Sequence, residues 1–241
     1  MLTRAKKLAQ VLKTPFYRRA LWKGVAAGVE HESCLRRLSC KTVIDIGANR
    51  GQFALAVRRS LPQARIISFE PLPKPARIFR TVFAGQTGVE LHEMAIGPSS
   101  GKKMMHIAGR DDSSSLLPIT NLQTEVYPGT QEIAQQEIRV ERLDRIISSA
   151  DLVAPALLKM DVQGYEFQCL EGCSELLPHF RYLYLECAFR ELYAGQALAS
   201  QLIRRAHEHG FDLTAIYHLF HDRDGQPVDA DLLFTRRSEP A

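Results

Sequence analysis

Four acidic residues stand at the ends of apolar runs: Asp45 in Val43–Gly51, Glu70 in Ser68–Pro71, Asp161 in Leu157–Glu166 and Glu186 in Tyr182–Cys187. A carboxylate at the end of a strand can accept hydrogen bonds from hydroxyl or ammonium groups, or take up a proton. Two of the four are followed within three residues by a glycine, Gly47 and Gly164, and a glycine lets a backbone turn lie close to a ligand. In open α/β sheets the ligand lies outside the carboxyl ends of the strands, so these are the residues from which a site would be built.

The densest cluster is Val43-Ile44-Asp45-Ile46-Gly47-Ala48-Asn49-Arg50-Gly51, a D-x-G-x-N-x-G turn between an apolar run and a helical stretch. It differs from G-x-G-x-x-G, in which a helix N-terminus receives a pyrophosphate. An acidic strand end suits a cofactor with an amino-acid tail and no phosphate, and S-adenosylmethionine is such a cofactor. Asp45 would meet its amino group through an adjacent backbone or water contact, with Gly47, Asn49 and Gly51 lining the turn. Glu70 follows Gly51 by nineteen positions, the separation at which an acid accepts hydrogen bonds from ribose hydroxyls. The plainer readings are a ligand-free glycine turn and an exposed acid before Pro71.

Asp161 is the first candidate for the base or acceptor-orienting group of a methyl transfer, because an alcohol is a weak nucleophile until its proton is taken or oriented. Glu186 is the second. Glu166 starts a helix and is readily explained by the helix dipole. His218 and His221 fall near the same rim, but a histidine in a loop is more often a surface residue. A metal held by Asp161, Glu186 and a histidine is conceivable chemistry. No helical His/carboxylate pair supports it, and no metal is assigned.

The elements that must position these groups alternate between apolar runs and helical stretches, the pattern of a doubly wound parallel α/β sheet. Thr42–Ile46, Ala64–Phe69, Val89–Met94, Ala156–Met160 and Tyr182–Cys187 read as parallel strands. Helices are expected at Gln52–Leu61, Glu141–Ser149, Tyr165–Leu177 and Ala197–His209, the last closed by Gly210. Residues 97–150 form a polar insertion with short strands at Lys102–Ile107 and Gln136–Val140. These flank a loop with Asp111, Asp112 and Ser113–Ser115, and a loop that long is usually a lid or binding loop. Phe211–Tyr217 and Asp231–Thr235, joined by a turn with Asp224-Gly225, put an antiparallel strand at the end of the sheet.

Residues 1–40 read as a basic helical segment and residues 41–241 as one catalytic domain, since 241 residues are few for two independent cores. Met1–Lys23 holds seven Lys or Arg and no acid, broken near Pro15. Such a segment offers a surface for peripheral membrane contact; the plainer reading is a helix packed on the domain with a solvated basic face. Every cofactor motif follows Lys41, so the segment is expected to be dispensable for cofactor binding. A net charge of +4 is too mild to call for nucleic acid. Five cysteines without a CxxC pair suggest reduced, packed thiols, and the chain lacks a signal-peptide pattern, so a cytoplasmic location is the expectation.

Taken together, VIDIGANRG (43–51), FEP (69–71), SSSL (113–116), RVERLD (139–144), LKMDVQGYE (158–166) and DLLF (231–234) resemble the FkbM-type methyltransferases from about Lys41 to Arg236. The resemblance implies a Rossmann-like class I fold with a mostly parallel seven-stranded sheet, helices on both faces and a C-terminal antiparallel strand. It also implies S-adenosylmethionine as cofactor and O-methylation of a hydroxyl on a sugar, glycan or secondary metabolite. Gln163, where the family more often has Glu, and Tyr165, in place of a small residue, bear on the acceptor pocket. The rival readings are a non-catalytic cofactor-binding module acting through the basic arm and an RNA methyltransferase.

Overall fold

The computed structural model describes residues 4–237. The first three residues of the basic segment, and the side chains of residues 4–6 and 8 within it, lie outside the description. In chain order the helices are α1 (Arg4–Lys13), α2 (Pro15–Trp22), α3 (Glu32–Leu35), α4 (Gln52–Ser60), α5 (Pro73–Val82), α6 (Asn121–Val126), α7 (Glu166–Gly172) and α8 (Ala199–Glu208). The strands are β1 (Thr42–Ile46), β2 (Arg65–Phe69), β3 (Val89–His92), β4 (Ala95–Ile96), β5 (Gly101–Ala108), β6 (Glu132–Glu141), β7 (Ala156–Met160), β8 (Tyr182–Ala188), β9 (Phe211–His221) and β10 (Pro227–Arg236).

Seven strands form one sheet in the order β3-β2-β1-β7-β8-β10-β9. β1, β2, β3, β7 and β8 pair in parallel, whereas β10 runs antiparallel between β8 and β9. β1 and β7 are buried along their whole length, as strands covered on both faces must be. One face packs Ile44, Leu158 and Leu185 against α7 and α8 through Leu170, Leu202 and Ala206. The other packs Val43, Ile66 and Leu157 against Tyr17, Leu35, Leu55 and Phe79 of α2 to α5. Chain order reverses beside β1, and the carboxyl ends of β1 and β7 open there into a crevice.

The insertion forms a three-stranded sheet, β4-β6-β5, with both anticipated strands longer than expected: Gly101–Ala108 instead of Lys102–Ile107, and Glu132–Glu141 instead of Gln136–Val140. The helix anticipated at Glu141–Ser149 is absent. Leu143 and Ile147 are buried at a helical spacing, but a single 3-10 turn at Leu143–Arg145 suffices, because Arg142 reaches Asp144 at 3.1 Å and the carbonyls of Pro98 and Glu171 at 3.4 Å. α7 also ends earlier than Leu177. A Cβ on Gly172 would lie 2.2 Å from the Gly97 carbonyl oxygen, so the helix terminates against the insertion, and Pro178 sits in a separate 3-10 turn.

All five cysteines are free and buried. Val11, Tyr17 and Ala20 of the basic segment are also in the core, so its apolar side packs on the domain. Among the described residues no helix is long and apolar enough to cross a membrane.

Candidate active site

A cavity of about 330 Å³ opens over the carboxyl ends of β1, β2 and β7, within the size range of small-molecule sites. Its floor is the turn after β1. Gly47 and Ala48 both donate their backbone N–H to the Phe69 carbonyl at 3.0 Å, which ties this turn to the end of β2. Gly47 has φ +79°, and a Cβ there would stand 1.8 Å from the Asp161 carbonyl oxygen. Its lack of a side chain therefore serves the crossing of two loops as well as any ligand. Gly51, φ +95°, does not line the cavity; a Cβ there would meet Phe83 at 2.6 Å and Phe79 at 3.0 Å.

Glu70 lines the cavity while being 5% exposed. Its Oε2 accepts from the Asn49 N–H at 2.9 Å and its Oε1 from the Leu72 N–H at 2.8 Å. Burial pushes this carboxyl up to about 7, against the pull of those two N–H groups. Each oxygen keeps a further lone pair, which is what two neighbouring ribose hydroxyls require. Asn49, φ +45°, holds the turn by accepting from the Arg50 N–H at 2.8 Å.

Asp45 lies beneath the floor at 0% exposure, with Lys159 Nζ 3.0 Å from Oδ1. Burial pushes Asp45 up, opposed by Lys159. Neither Asp45 oxygen has a well-aligned hydrogen bond among the described residues, so Lys159 compensates its charge without fully satisfying it. Lys159, next to the last residue of β7 and two positions before Asp161, also donates to the Gly47 carbonyl at 3.1 Å.

Asp161 lines the cavity with its side chain 40% exposed, and Lys159 Nζ stands 3.8 Å from its Oδ2. Gln163, held at φ +55°, donates from Nε2 to Asp161 Oδ1 at 2.8 Å and to Glu186 Oε2 at 2.7 Å, and its Oε1 accepts from the Tyr193 hydroxyl at 2.7 Å. Glu186 thus sits behind Gln163, outside the main cavity and against a separate one of about 30 Å³. Burial, with Asp161 and Asp229 nearby, pushes Glu186 well above the carboxylate range. Glu166 is turned into the loop, where it accepts from the N–H of Val162 at 2.9 Å and of Gly164 at 3.3 Å, and burial raises it to about 7.

The Ser-rich loop forms the opposite wall. Ser115 Oγ donates to the Gln163 carbonyl at 2.6 Å, the Tyr193 hydroxyl oxygen lies 3.0 Å from the Ser113 carbonyl, and Arg50 Nε reaches Asp111 at 3.2 Å, so the loop is pinned to both strand-end turns.

His221 is exposed, and His218 packs under the rim without lining the cavity. Asp161 and Glu186 are not joined by a histidine. Among the described residues the three potential metal ligands that do gather are His31, His218 and Asp231, with ligand atoms within 4.8 Å of one another. Of these His218 Nδ1 is 2.6 Å from Asp231 Oδ2, a direct hydrogen-bond distance. Sequence reasoning missed Glu30 and His31, which line the cavity from a segment well before the first motif.

A parallel sheet that reverses beside β1, ends on an antiparallel pair and carries its cavity over the β1 and β7 turns is a Rossmann-like class I methyltransferase fold. The chain belongs to the FkbM methyltransferase family, with residues 45–213 matching the Methyltransferase FkbM domain. It is 31% identical over 161 residues to the 2-O-methyltransferase NoeI of Sinorhizobium fredii, an alignment covering 64% of this chain and 66% of NoeI. The chain thus spans just under two thirds of that relative. Methyltransferase sdnD of Sordaria araneosa is 24% identical over 195 residues, covering 71% of this chain and 74% of that one. Among solved structures, magnesium protoporphyrin IX methyltransferase of Synechocystis with bound SAM overlaps at 11% identity and a TM-score of 0.46, over 98% of this chain and 86% of that one.

Proposed function

We propose that this protein uses S-adenosylmethionine to methylate a hydroxyl group of a sugar, glycan or small secondary metabolite. The observation that carries the reading is Glu70, a buried carboxylate aimed at the cavity by two backbone N–H groups, in the position to hold a ribose. Leu72, Ile96, Met105 and Leu116 supply an apolar wall beside it that suits an adenine ring. The name of NoeI as a 2-O-methyltransferase supports a hydroxyl acceptor. The cofactor, when bound, supplies a methyl carbon on a sulfonium. The protein's own task is to hold the acceptor in line with that carbon and to receive its proton.

In this reading Asp161 takes that task; what supports it is that its carboxylate lines the cavity and is fixed by Gln163 and Lys159. Glu186 acts through Gln163, as a positioning residue. Calorimetry with S-adenosylmethionine and with NAD tests the cofactor, and mass spectrometry of pooled glycans and metabolites incubated with protein and cofactor tests the acceptor class. Binding of NAD but not S-adenosylmethionine would sink the reading.

A further inference from the structure

Asp45 was expected to meet the cofactor's amino group through an adjacent backbone or water contact; it is fully buried and engaged by Lys159, so it offers no direct contact. Another group must face the amino-acid end of a ligand whose ribose lies on Glu70. The cavity's apolar wall lies on the side of β4 and β5, at Ile96 and Met105, so the adenine belongs there and the amino-acid end belongs at the opposite, polar end. Glu30 and His31 mark that end: both line the cavity, and His31 packs on Phe53 and Tyr184, which belong to the core on the other face of the sheet from Ile96.

The hydrogen-bond chain under His31 fixes its chemistry. His218 Nε2 lies 3.2 Å from the Glu30 carbonyl and its Nδ1 2.6 Å from Asp231, so both ring nitrogens face acceptors and the ring carries two protons. The Tyr184 hydroxyl donates to Asp231 Oδ2 at 3.0 Å, which leaves its oxygen to accept from His31 Nδ1 at 3.1 Å. His31 is therefore protonated on Nδ1, and its Nε2, which makes no hydrogen bond among the described residues, presents a lone pair. Burial, with the charges of His218 and Lys159 close by, lowers the affinity of His31 for a second proton, while Asp231 and Glu30 work the other way. The ring is wedged edge-on between Phe53 at 5.2 Å and Tyr184 at 5.7 Å. His31 lines the cavity, and Nε2 is its ring nitrogen without a partner among the described residues, so it is the one free to meet a ligand.

The backbone that carries His31 is seated as firmly. Gly28 donates to the Gln52 carbonyl at 2.9 Å, and a Cβ on Gly28 would lie 2.9 Å from His31 Cδ2 and 3.3 Å from that same carbonyl. The next residue, Glu32, accepts from the buried Tyr17 hydroxyl at 2.8 Å. Gly28, His31 and Glu32 all precede the family-matched residues 45–213, whereas their partners Gln52, Phe53 and Tyr184 fall within them.

We propose that His31 is the recognition residue for the amino-acid end of S-adenosylmethionine, its Nε2 accepting a hydrogen bond from the α-ammonium beside the Glu30 carboxylate. The proposal rests on the cofactor reading above and extends the site into the segment before β1.

The test is calorimetry of the full chain with S-adenosylmethionine and with 5′-deoxy-5′-methylthioadenosine, which keeps the adenosine and the sulfur and lacks the amino-acid end. His31→Ala should weaken S-adenosylmethionine about 10- to 100-fold, the loss of a hydrogen bond to a charged group, and leave methylthioadenosine within about twofold. His31→Gln, whose amide oxygen can stand near the Nε2 position, should recover part of the loss. If His31→Ala does not fold, Tyr184→Phe, which releases the Nδ1 proton from its acceptor, should still weaken S-adenosylmethionine selectively. Equal losses for the two ligands, or no loss for either, would overturn the assignment. Wild-type protein that binds neither ligand would overturn the cofactor reading itself, and this assignment with it.

Discussion

The two sides of the cavity are built differently. On the β1–β2 side the ligand-facing groups are set by backbone: Glu70 is aimed by the N–H groups of Asn49 and Leu72, and the turn beneath it hangs on the Phe69 carbonyl. On the β7–β8 side they are set by side-chain networks, several of whose members come from distant parts of the chain. Asp161 is held by Gln163, which also touches Glu186 and Tyr193, and His31 is held by Tyr184 and Asp231. Backbone-built sites depend on local spacing and can hold one invariant piece of a ligand, here a ribose. Side-chain networks can be rewired one residue at a time, which suits the part around Asp161 that an acceptor would approach.

If that contrast is functional, substitutions on the two sides should fail in different ways. The largest effect is expected for Asp161→Asn. Single-turnover methyl transfer at saturating cofactor should fall roughly 100- to 10,000-fold, the usual contribution of a positioned proton acceptor. The melting temperature should hardly move, since the Asp161 side chain is 40% exposed. Near-normal turnover would remove Asp161 from the chemistry and leave it as an ordinary acid at a strand end.

Glu166 sharpens the comparison through pH. Burial raises its carboxyl from 4.5 to about 7, so the folded protein holds a proton there that the unfolded chain has released. The stability this contributes is fully present below about pH 4.5 and is lost as pH rises through about 7, a difference of about 3 kcal/mol. Glu166→Gln keeps an oxygen for the Val162 and Gly164 N–H groups and removes the titration. Denaturant melts of the variant should therefore lose less stability between pH 5 and 8 than wild type, and matching slopes would show that the β7 loop does not store this charge.

Glu70→Ala should act on affinity and spare the chemical step. Losing the ribose acceptors is expected to weaken S-adenosylmethionine by about 1–3 kcal/mol in calorimetry, with turnover at saturating cofactor much less affected than in Asp161→Asn. Unchanged affinity would displace the cofactor from the end of β2, and the backbone-built side would lose its assigned role.

The same contrast explains what could be read without coordinates. The seven strands, the antiparallel finish and the placement of Glu70, Gly47, Asn49 and Asp161 around one rim follow from apolar periodicity and glycine spacing, which are local. Asp45 reads as a ligand-facing acid because it ends a strand, but alternation on β1 and β7 pairs it with Lys159 across the sheet. Only the register reveals that. Gly51 reads as a ligand glycine and in fact makes room for Phe79 and Phe83, residues about 30 positions away on and beside α5. Gln163 was visible as a departure from the family pattern, though not its bridging of Asp161 and Glu186. His31 carried no signal of its own: its role depends on Tyr184, Asp231 and His218, which are 153, 200 and 187 positions later in the chain.

The smallest effect is expected on a surface remote from both sides. In the basic segment Val11, Tyr17 and Ala20 are buried, whereas Trp22 is 87% exposed and Leu12 48% exposed, among the exposed side chains of Lys13, Arg18, Arg19 and Lys23. Deleting residues 1–23 would strip Tyr17 from the core and from Glu32, next to His31, and so would confuse a surface role with a structural one. Trp22→Ala touches only the surface. An exposed indole among cations is the composition of a segment that rests on an anionic bilayer, where each Lys or Arg near the surface contributes about 1 kcal/mol and the ring adds apolar contact. We expect the full chain to associate with phosphatidylserine vesicles at low salt, and Trp22→Ala to weaken that association about tenfold, corresponding to burial of roughly 50 Å² of apolar surface. Melting temperature and S-adenosylmethionine affinity should stay at wild-type values. Equal vesicle binding by the two proteins, or none by either, would reduce the segment to a helix pair that covers one face of the sheet with its basic side in water.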